Sequence, residues 1–112
     1  MALTITTDQP RALLSAIRDA IRAGVVATWN TTPEGYFTHT AASGQWRNRA
    51  WLKPVLSNTY LRLYIVRPKN RQVSKVTYAV YHGRFAEMIL THFDDRCTQI
   101  TASADPLPGD LV

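Results

Sequence analysis

Residues 59–66 form the part of the chain that alternates most regularly between apolar and polar side chains. Because successive side chains of a β-strand point to opposite faces of a sheet, this period of two predicts a strand with one apolar face. One face carries Leu61, Leu63 and Ile65, and the other carries Tyr60, Arg62 and Tyr64. An apolar face must be covered, so the pattern favours a sheet with helices packed on one side.

Two segments of helical periodicity can supply that cover. Residues 8–23 carry an apolar stripe at helical spacing, with Asp8 as the expected N-cap, Pro10 in the first turn and Gly24 just beyond the end. A second helical pattern continues to the neighbourhood of Phe93. We therefore expect an N-terminal helix and a second, longer helix.

The start of the second helix is ambiguous in sequence. Residues 73–81 are rich in β-forming side chains, but no turn signal separates them from the helical pattern that follows. One long helix is therefore the favoured interpretation, with Ser74 as a possible cap. Its stripe of small residues, which includes Gly83, is expected to face the sheet and to allow close packing.

The remaining β-forming runs predict an antiparallel sheet. Residues 25–29 and 36–40 flank a Pro/Gly turn, 46–52 follow a second turn, and 97–102 can form a short final strand. We predict one α+β domain over residues 1–112: an N-terminal helix, a four-stranded antiparallel sheet, a long second helix and a short C-terminal strand. A frayed tail is expected from about residue 104.

Size and composition narrow the class of protein. The chain has 112 residues, of which 46% are hydrophobic, which is normal for a globular domain. No apolar run approaches the roughly 20 residues that cross a bilayer, so no membrane association is predicted. The single Cys97 can form no internal disulfide, and this favours a reducing, cytoplasmic location.

The middle of the chain is strongly basic. All eight carboxylates lie outside residues 36–84, whereas nine basic residues lie within that segment. These bases are Arg47, Arg49, Lys53, Arg62, Arg67, Lys69, Arg71, Lys75 and Arg84. Such segregation makes the segment attractive to a polyanion beyond what the net charge of +5 alone indicates.

A basic and aromatic sheet face is the predicted site. If the third and fourth strands align, Arg47 and Arg49 share a face with the polar set of residues 59–66, and the following loop adds further bases. The predicted anion-binding residues are Arg47, Arg49, Lys53, Tyr60, Arg62, Tyr64, Arg67, Lys69 and Arg71. Arginines can bind phosphates and tyrosines can stack on unpaired bases, so single-stranded nucleic acid is the leading ligand class.

The second helix holds an alternative cluster of titratable residues. It comprises Tyr81, His82, Arg84 and Glu87. His82 could act as an acid or base near neutral pH, but Glu87 would lie roughly 140° away around a helix and is poorly placed to pair with it. An enzyme that uses this cluster on an unknown substrate is therefore the third hypothesis.

Other chemistry has weaker support in the sequence. His92, Asp94, Cys97 and His39 have no recognised spacing of metal ligands, and no phosphate loop or catalytic motif is present. We predict no metal and no cofactor, and favour a non-enzymatic protein that binds nucleic acid or another anionic partner. The second hypothesis is an assembly module that forms a homodimer or binds an acidic protein.

Overall fold

The computed structural model of the protein describes residues 2–40, 46–69 and 71–110. These residues form two α-helices, one short 3₁₀ turn at Asp94–Arg96, and one antiparallel sheet whose strand order differs from the order along the chain. In chain order the elements are β1 (Ala2–Thr6), α1 (Pro10–Arg22), β2 (Trp29–Thr31), β3 (Phe37–His39), β4 (Trp51–Leu56), β5 (Tyr60–Val66), α2 (Lys75–His92) and β6 (Gln99–Ala102). The predicted α+β class, with two helices and an antiparallel sheet, is confirmed.

The sheet is larger than the sequence predicted. Its described strands number six, in the order β2-β3-β4-β5-β1-β6. The prediction of four strands and a short final one missed β1, which lies between β5 and β6 and pairs with both. The alternation of Leu3 and Ile5 with Thr4 and Thr6 is the signal that identifies β1 in the sequence.

The position of β4 also corrects the prediction. Residues 46–49 form a turn, and the strand begins at Trp51 and continues to Leu56 through Pro54, which was expected to lie between strands. Within the described residues, β3 pairs with β4 only at Phe37–Leu52. Pro54 therefore lies where one side of β4 has no neighbour among the described strands. Proline is tolerated at such an edge because no strand there needs the hydrogen bond that its missing N–H would donate.

Both helices form where the sequence predicts them, but the residue predicted to cap the beginning of α1 does not do so. Ser74 caps α2, because its hydroxyl oxygen accepts a hydrogen bond from the Thr77 N–H at 3.1 Å. Pro10 begins α1, but the N-cap is Gln9 and makes no side-chain hydrogen bond, so the prediction for Asp8 was wrong. Gly24, just beyond α1, has a φ of 79°, a left-handed conformation that favours glycine.

Both helices pack on one face of the sheet. The fully buried Leu61, Leu63 and Ile65 of β5 form the centre of a core with Leu13 and Ile17 of α1. The contribution of α2 consists of its large side chains, namely Tyr78, Tyr81, Phe85, Met88 and Ile89. The sheet thus has a covered face and an opposite face on which neither helix packs.

The orientation of α2 differs from the prediction. Its stripe of small residues points away from the sheet, because Ala79 and Gly83 are exposed and a Cβ built on Gly83 would have no neighbour within 4 Å. Burying the larger aromatic rings removes more apolar area from water than burying alanine and glycine. The aromatic residues of α2 consequently determine which side of the helix faces the core.

Candidate nucleic-acid interface

The register of the strands defines the residues on the face that the helices leave uncovered. Tyr64 of β5 lies opposite Ala2 of β1 and Lys53 of β4, and Arg62 lies opposite Thr4 and Val55. The four central and outer strands β4, β5, β1 and β6 together present Trp51, Lys53, Val55, Tyr60, Arg62, Tyr64, Val66, Ala2, Thr4, Thr6, Gln99 and Thr101. We call these residues the open face. None of them carries a carboxylate.

The centre of the open face is a row of two tyrosines with an arginine between them. The Arg62 guanidinium carbon lies 4.5 Å from the centroid of the Tyr60 ring, a distance typical of a cation–π contact. The same side chain donates through Nε to Thr4 Oγ1 at 2.9 Å and through Nη1 to Tyr64 Oη at 3.5 Å. These three contacts hold the Arg62 side chain between the Tyr60 ring and the Tyr64 hydroxyl.

Electrostatics keep this row cationic. The hydrogen bond to Tyr64 raises the pKa of Arg62 above its ordinary value, against a smaller opposing effect of burial. Lys53, on the neighbouring strand, is exposed and lies directly opposite Tyr64. Two cations thus stand among aromatic rings on a surface that strand pairing holds rigid.

Trp51 is a residue of the open face that the predicted site omitted. It pairs with Val66 and is half-buried, next to Lys53 on the same side of β4. Its membership could be found from the sequence by continuing the alternation of Trp51, Lys53 and Val55 through Pro54. The alternation in residues 46–52 already places Trp51 on the same face as Arg47 and Arg49, but the predicted site took only the arginines of that run. With Trp51 included, the open face offers three aromatic rings.

The structure separates Arg47 and Arg49 from the strand on which they were predicted. They belong to the turn before β4, in which Asn48 has a positive φ of 55°. The Arg49 N–H donates to the Tyr81 hydroxyl at 2.9 Å, and that hydroxyl donates to the Trp46 carbonyl. This turn is thus attached to α2, at the end of the sheet and not on its open face.

The basic loop between β5 and α2 lies at that same end of the sheet. Its Arg67, Lys69 and Arg71 are exposed, and it follows β5 directly after Val66. Arg71 and Arg49 line a common cleft of about 230 Å³ beside the beginning of α2. The bases of the predicted site therefore occupy two adjoining places: Lys53 and Arg62 on the open face, and Arg47, Arg49, Arg67, Lys69 and Arg71 around its Trp51–Val66 end.

The alternative cluster on α2 is not assembled. Tyr81 is fully buried, and His82 is 3% exposed with its ring 4.4 Å from that of Tyr78. Arg84 and Glu87, by contrast, are exposed. Because the residues point into different environments, they do not line one reaction cavity.

The residues considered for a metal site differ in exposure, since His39 is buried, Cys97 is half-buried, and His92 and Asp94 are exposed. His39 is buried against Trp29, with ring centroids 5.2 Å apart, and burial followed by the charge of Arg84 lowers its pKa. Burial chiefly raises the pKa of the Cys97 thiol, and a raised pKa makes the thiolate that would bind a metal harder to form. Across residues 2–40, 46–69 and 71–110, no group of three or more potential metal ligands occurs.

Comparison of the chain with protein-family models, curated proteins and solved structures finds no match. In the described part of the chain, no helix is long and apolar enough to cross a membrane. The chemistry of the open face is therefore the basis on which a function can be proposed.

Proposed function

We propose that the protein binds single-stranded nucleic acid on the open face, as a non-enzymatic binding protein. The observation that carries this proposal is the row of Tyr60, Arg62 and Tyr64 on a sheet face that neither helix covers. Aromatic rings on a sheet stack on unpaired bases, and the faces of those bases are inaccessible inside a duplex. The proposed ligand class follows from this requirement.

The distribution of charge supports the same ligand. A nucleic-acid strand whose nucleobases stack on Tyr60 and Tyr64 brings its phosphates close to Lys53 and Arg62. The basic side chains around the Trp51–Val66 end extend the positive surface. Phosphate contacts of this kind give affinity without sequence information. We therefore expect binding with little sequence preference and a strong dependence on salt.

Replacing Tyr60 by alanine should weaken binding by about 1–3 kcal/mol, the range for loss of one stacked base. The measurement is a fluorescence anisotropy titration of a labelled single-stranded oligonucleotide at low salt. Tyr36→Ala is the matched control, because Tyr36 is also half-buried but belongs to the turn between β2 and β3. Equal affinity of the two variants would reject stacking on Tyr60, and absence of binding by the unsubstituted protein would reject the proposed function.

A second candidate function is self-association through α2. An apolar groove of about 910 Å³ lies between α2 and β6, and Val76 and Leu90 on the same helix are 60% and 58% exposed. These two residues lie equally far from Gly83 along the chain. In an antiparallel pair of α2 helices that cross at Gly83, Val76 would therefore meet the partner's Leu90, and glycine would permit close approach.

Light scattering distinguishes this candidate from the first. A homodimer predicts twice the chain mass of 12.6 kDa, and Gly83→Leu should return the mass to that of one chain by separating the helices. Gly83→Leu has open space within the single chain, so its circular dichroism should remain that of the folded protein. A single-chain mass at every protein concentration would reject self-association.

A further inference from the structure

The segment that follows β6 crosses the end of β1 and reaches β5. The Ser103 N–H donates to the Ala2 carbonyl at 3.0 Å, and the Ala2 N–H donates back to Ser103 Oγ at 2.9 Å. These two hydrogen bonds fix the beginning of the crossing. Residues 107–110 then lie beside the Tyr64 end of the open face.

Asp110 attaches the far end of the segment to β5. Its Oδ1 accepts a hydrogen bond from the Ile65 N–H at 2.8 Å, and its Oδ2 accepts one from the Leu107 N–H at 2.8 Å. Among the described residues, the pairing of β1 with β5 extends to Ala2 and Tyr64, and Tyr64 directly precedes Ile65. The carboxylate therefore takes a position next to β5 where the described part of β1 provides no partner, and such charge-assisted hydrogen bonds are stronger than neutral ones.

Gly109 lies directly on the ring of Tyr64. A Cβ built on Gly109 would be 2.6 to 2.8 Å from three carbons of that ring, closer than side-chain atoms approach one another. The backbone at this point thus occupies space beside the ring that a stacking base would need. Glycine is the residue that allows this contact, because any side chain here meets the ring.

We propose that residues 107–110 act as an autoinhibitory strap, which covers Tyr64 in the free protein and is displaced when a nucleic-acid strand binds. This inference rests on the proposed function and concerns its regulation. Two contacts carry it: the Gly109 backbone occupies one side of the ring, and the Asp110 carboxylate places a negative charge where phosphates would approach. A site that is open in only a fraction of the molecules binds with an affinity reduced by that fraction.

Opening the strap should tighten the binding of a labelled oligothymidylate by about tenfold. Gly109→Val forces the segment away from Tyr64 without changing the charge, and Asp110→Ala removes the two hydrogen bonds to the Ile65 and Leu107 amides. Tenfold corresponds to about 1.4 kcal/mol, which is in the range of one or two net hydrogen bonds. Asp105→Ala is the control, because it removes the same charge from the same segment and leaves the Asp110 contacts in place; its affinity should change by less than about twofold.

Hydrogen exchange of the Ile65 amide in the full chain provides an independent readout. This N–H should be protected in the free protein by Asp110 and should exchange faster when oligothymidylate is added. Wild-type affinity in both Gly109→Val and Asp110→Ala, with Ile65 still protected in the complex, would overturn the strap and leave the proposed function intact. Failure of every form to bind at low salt would overturn both.

Discussion

Replacing Leu63 by alanine should lower the free energy of unfolding by about 2–5 kcal/mol, the range for truncating a buried leucine. Leu63 is fully buried on β5, between Leu3 of β1 and Pro54 of β4 and beneath the helices. The substitution leaves a cavity at the centre of the core, where neighbouring strands are held by their own pairing and collapse poorly. A loss of this size is a large fraction of the 5–15 kcal/mol that stabilises a typical domain.

Urea denaturation monitored by circular dichroism measures the effect. Val55→Ala is the matched control, because Val55 lies on the neighbouring strand but points to the open face and is 36% exposed. We expect the control to cost less than about 1 kcal/mol, since it buries little additional area. Equal destabilisation by the two substitutions would contradict the assignment of the covered and open faces.

Local patterns in the sequence predict much of this fold. The alternation in residues 60–66 correctly identifies the buried side of β5, because the period of two depends only on the strand itself. The helical pattern similarly identifies α2, including its cap at Ser74. Elements whose signal lies within their own residues are therefore predictable from one sequence.

The errors arise where pairing with distant residues decides the outcome. Pro54 is a strand breaker in most sheets, and only the short β3 neighbour makes it acceptable in β4. The alternation in residues 3–6 is that of a strand, but the position of β1 in the sheet depends on partners about sixty and one hundred residues away, on β5 and β6. The side of α2 that faces the core depends likewise on what the sheet presents to it.

The candidate site was likewise predictable only where its residues lie on a single strand. Tyr60, Arg62 and Tyr64 share one face of a single strand, and the sequence brings them together without any knowledge of the neighbours. Arg47 and Arg49 leave the strand because β4 begins later than predicted, whereas Trp51, which shares their side of the predicted strand, remains on the open face. The number of bases in the central segment indicates a positive surface, but strand pairing determines that only Lys53 and Arg62 stand on the open face.

Replacing three basic residues on and beside the open face with neutral ones should flatten the salt dependence of oligonucleotide binding. In single-strand binding each phosphate contact contributes roughly 0.7 to the slope of log affinity against log salt. The triple variant Lys53→Gln, Arg62→Gln, Arg67→Gln should therefore reduce the slope by about 2. These residues are on the surface or only partly buried, so we expect the variant to remain folded.

A charge-matched variant on the helical side of the molecule isolates the effect of position. Arg11 and Arg22 are exposed on α1, and Arg84 is exposed on α2. Their replacement by glutamine changes the net charge by the same amount as the first triple variant. Because they lie away from the open face, we expect this control to change the slope by less than about 0.7, the contribution of one contact.

The deciding measurement is the titration of a single-stranded oligonucleotide into the wild-type protein and the two triple variants over a series of salt concentrations. Binding on the open face predicts a steep slope for the wild type, a nearly unchanged slope for the helical-side variant and a slope lower by about 2 for the open-face variant. Equal slopes for the two variants would show that only net charge matters and that the open face is not the binding site.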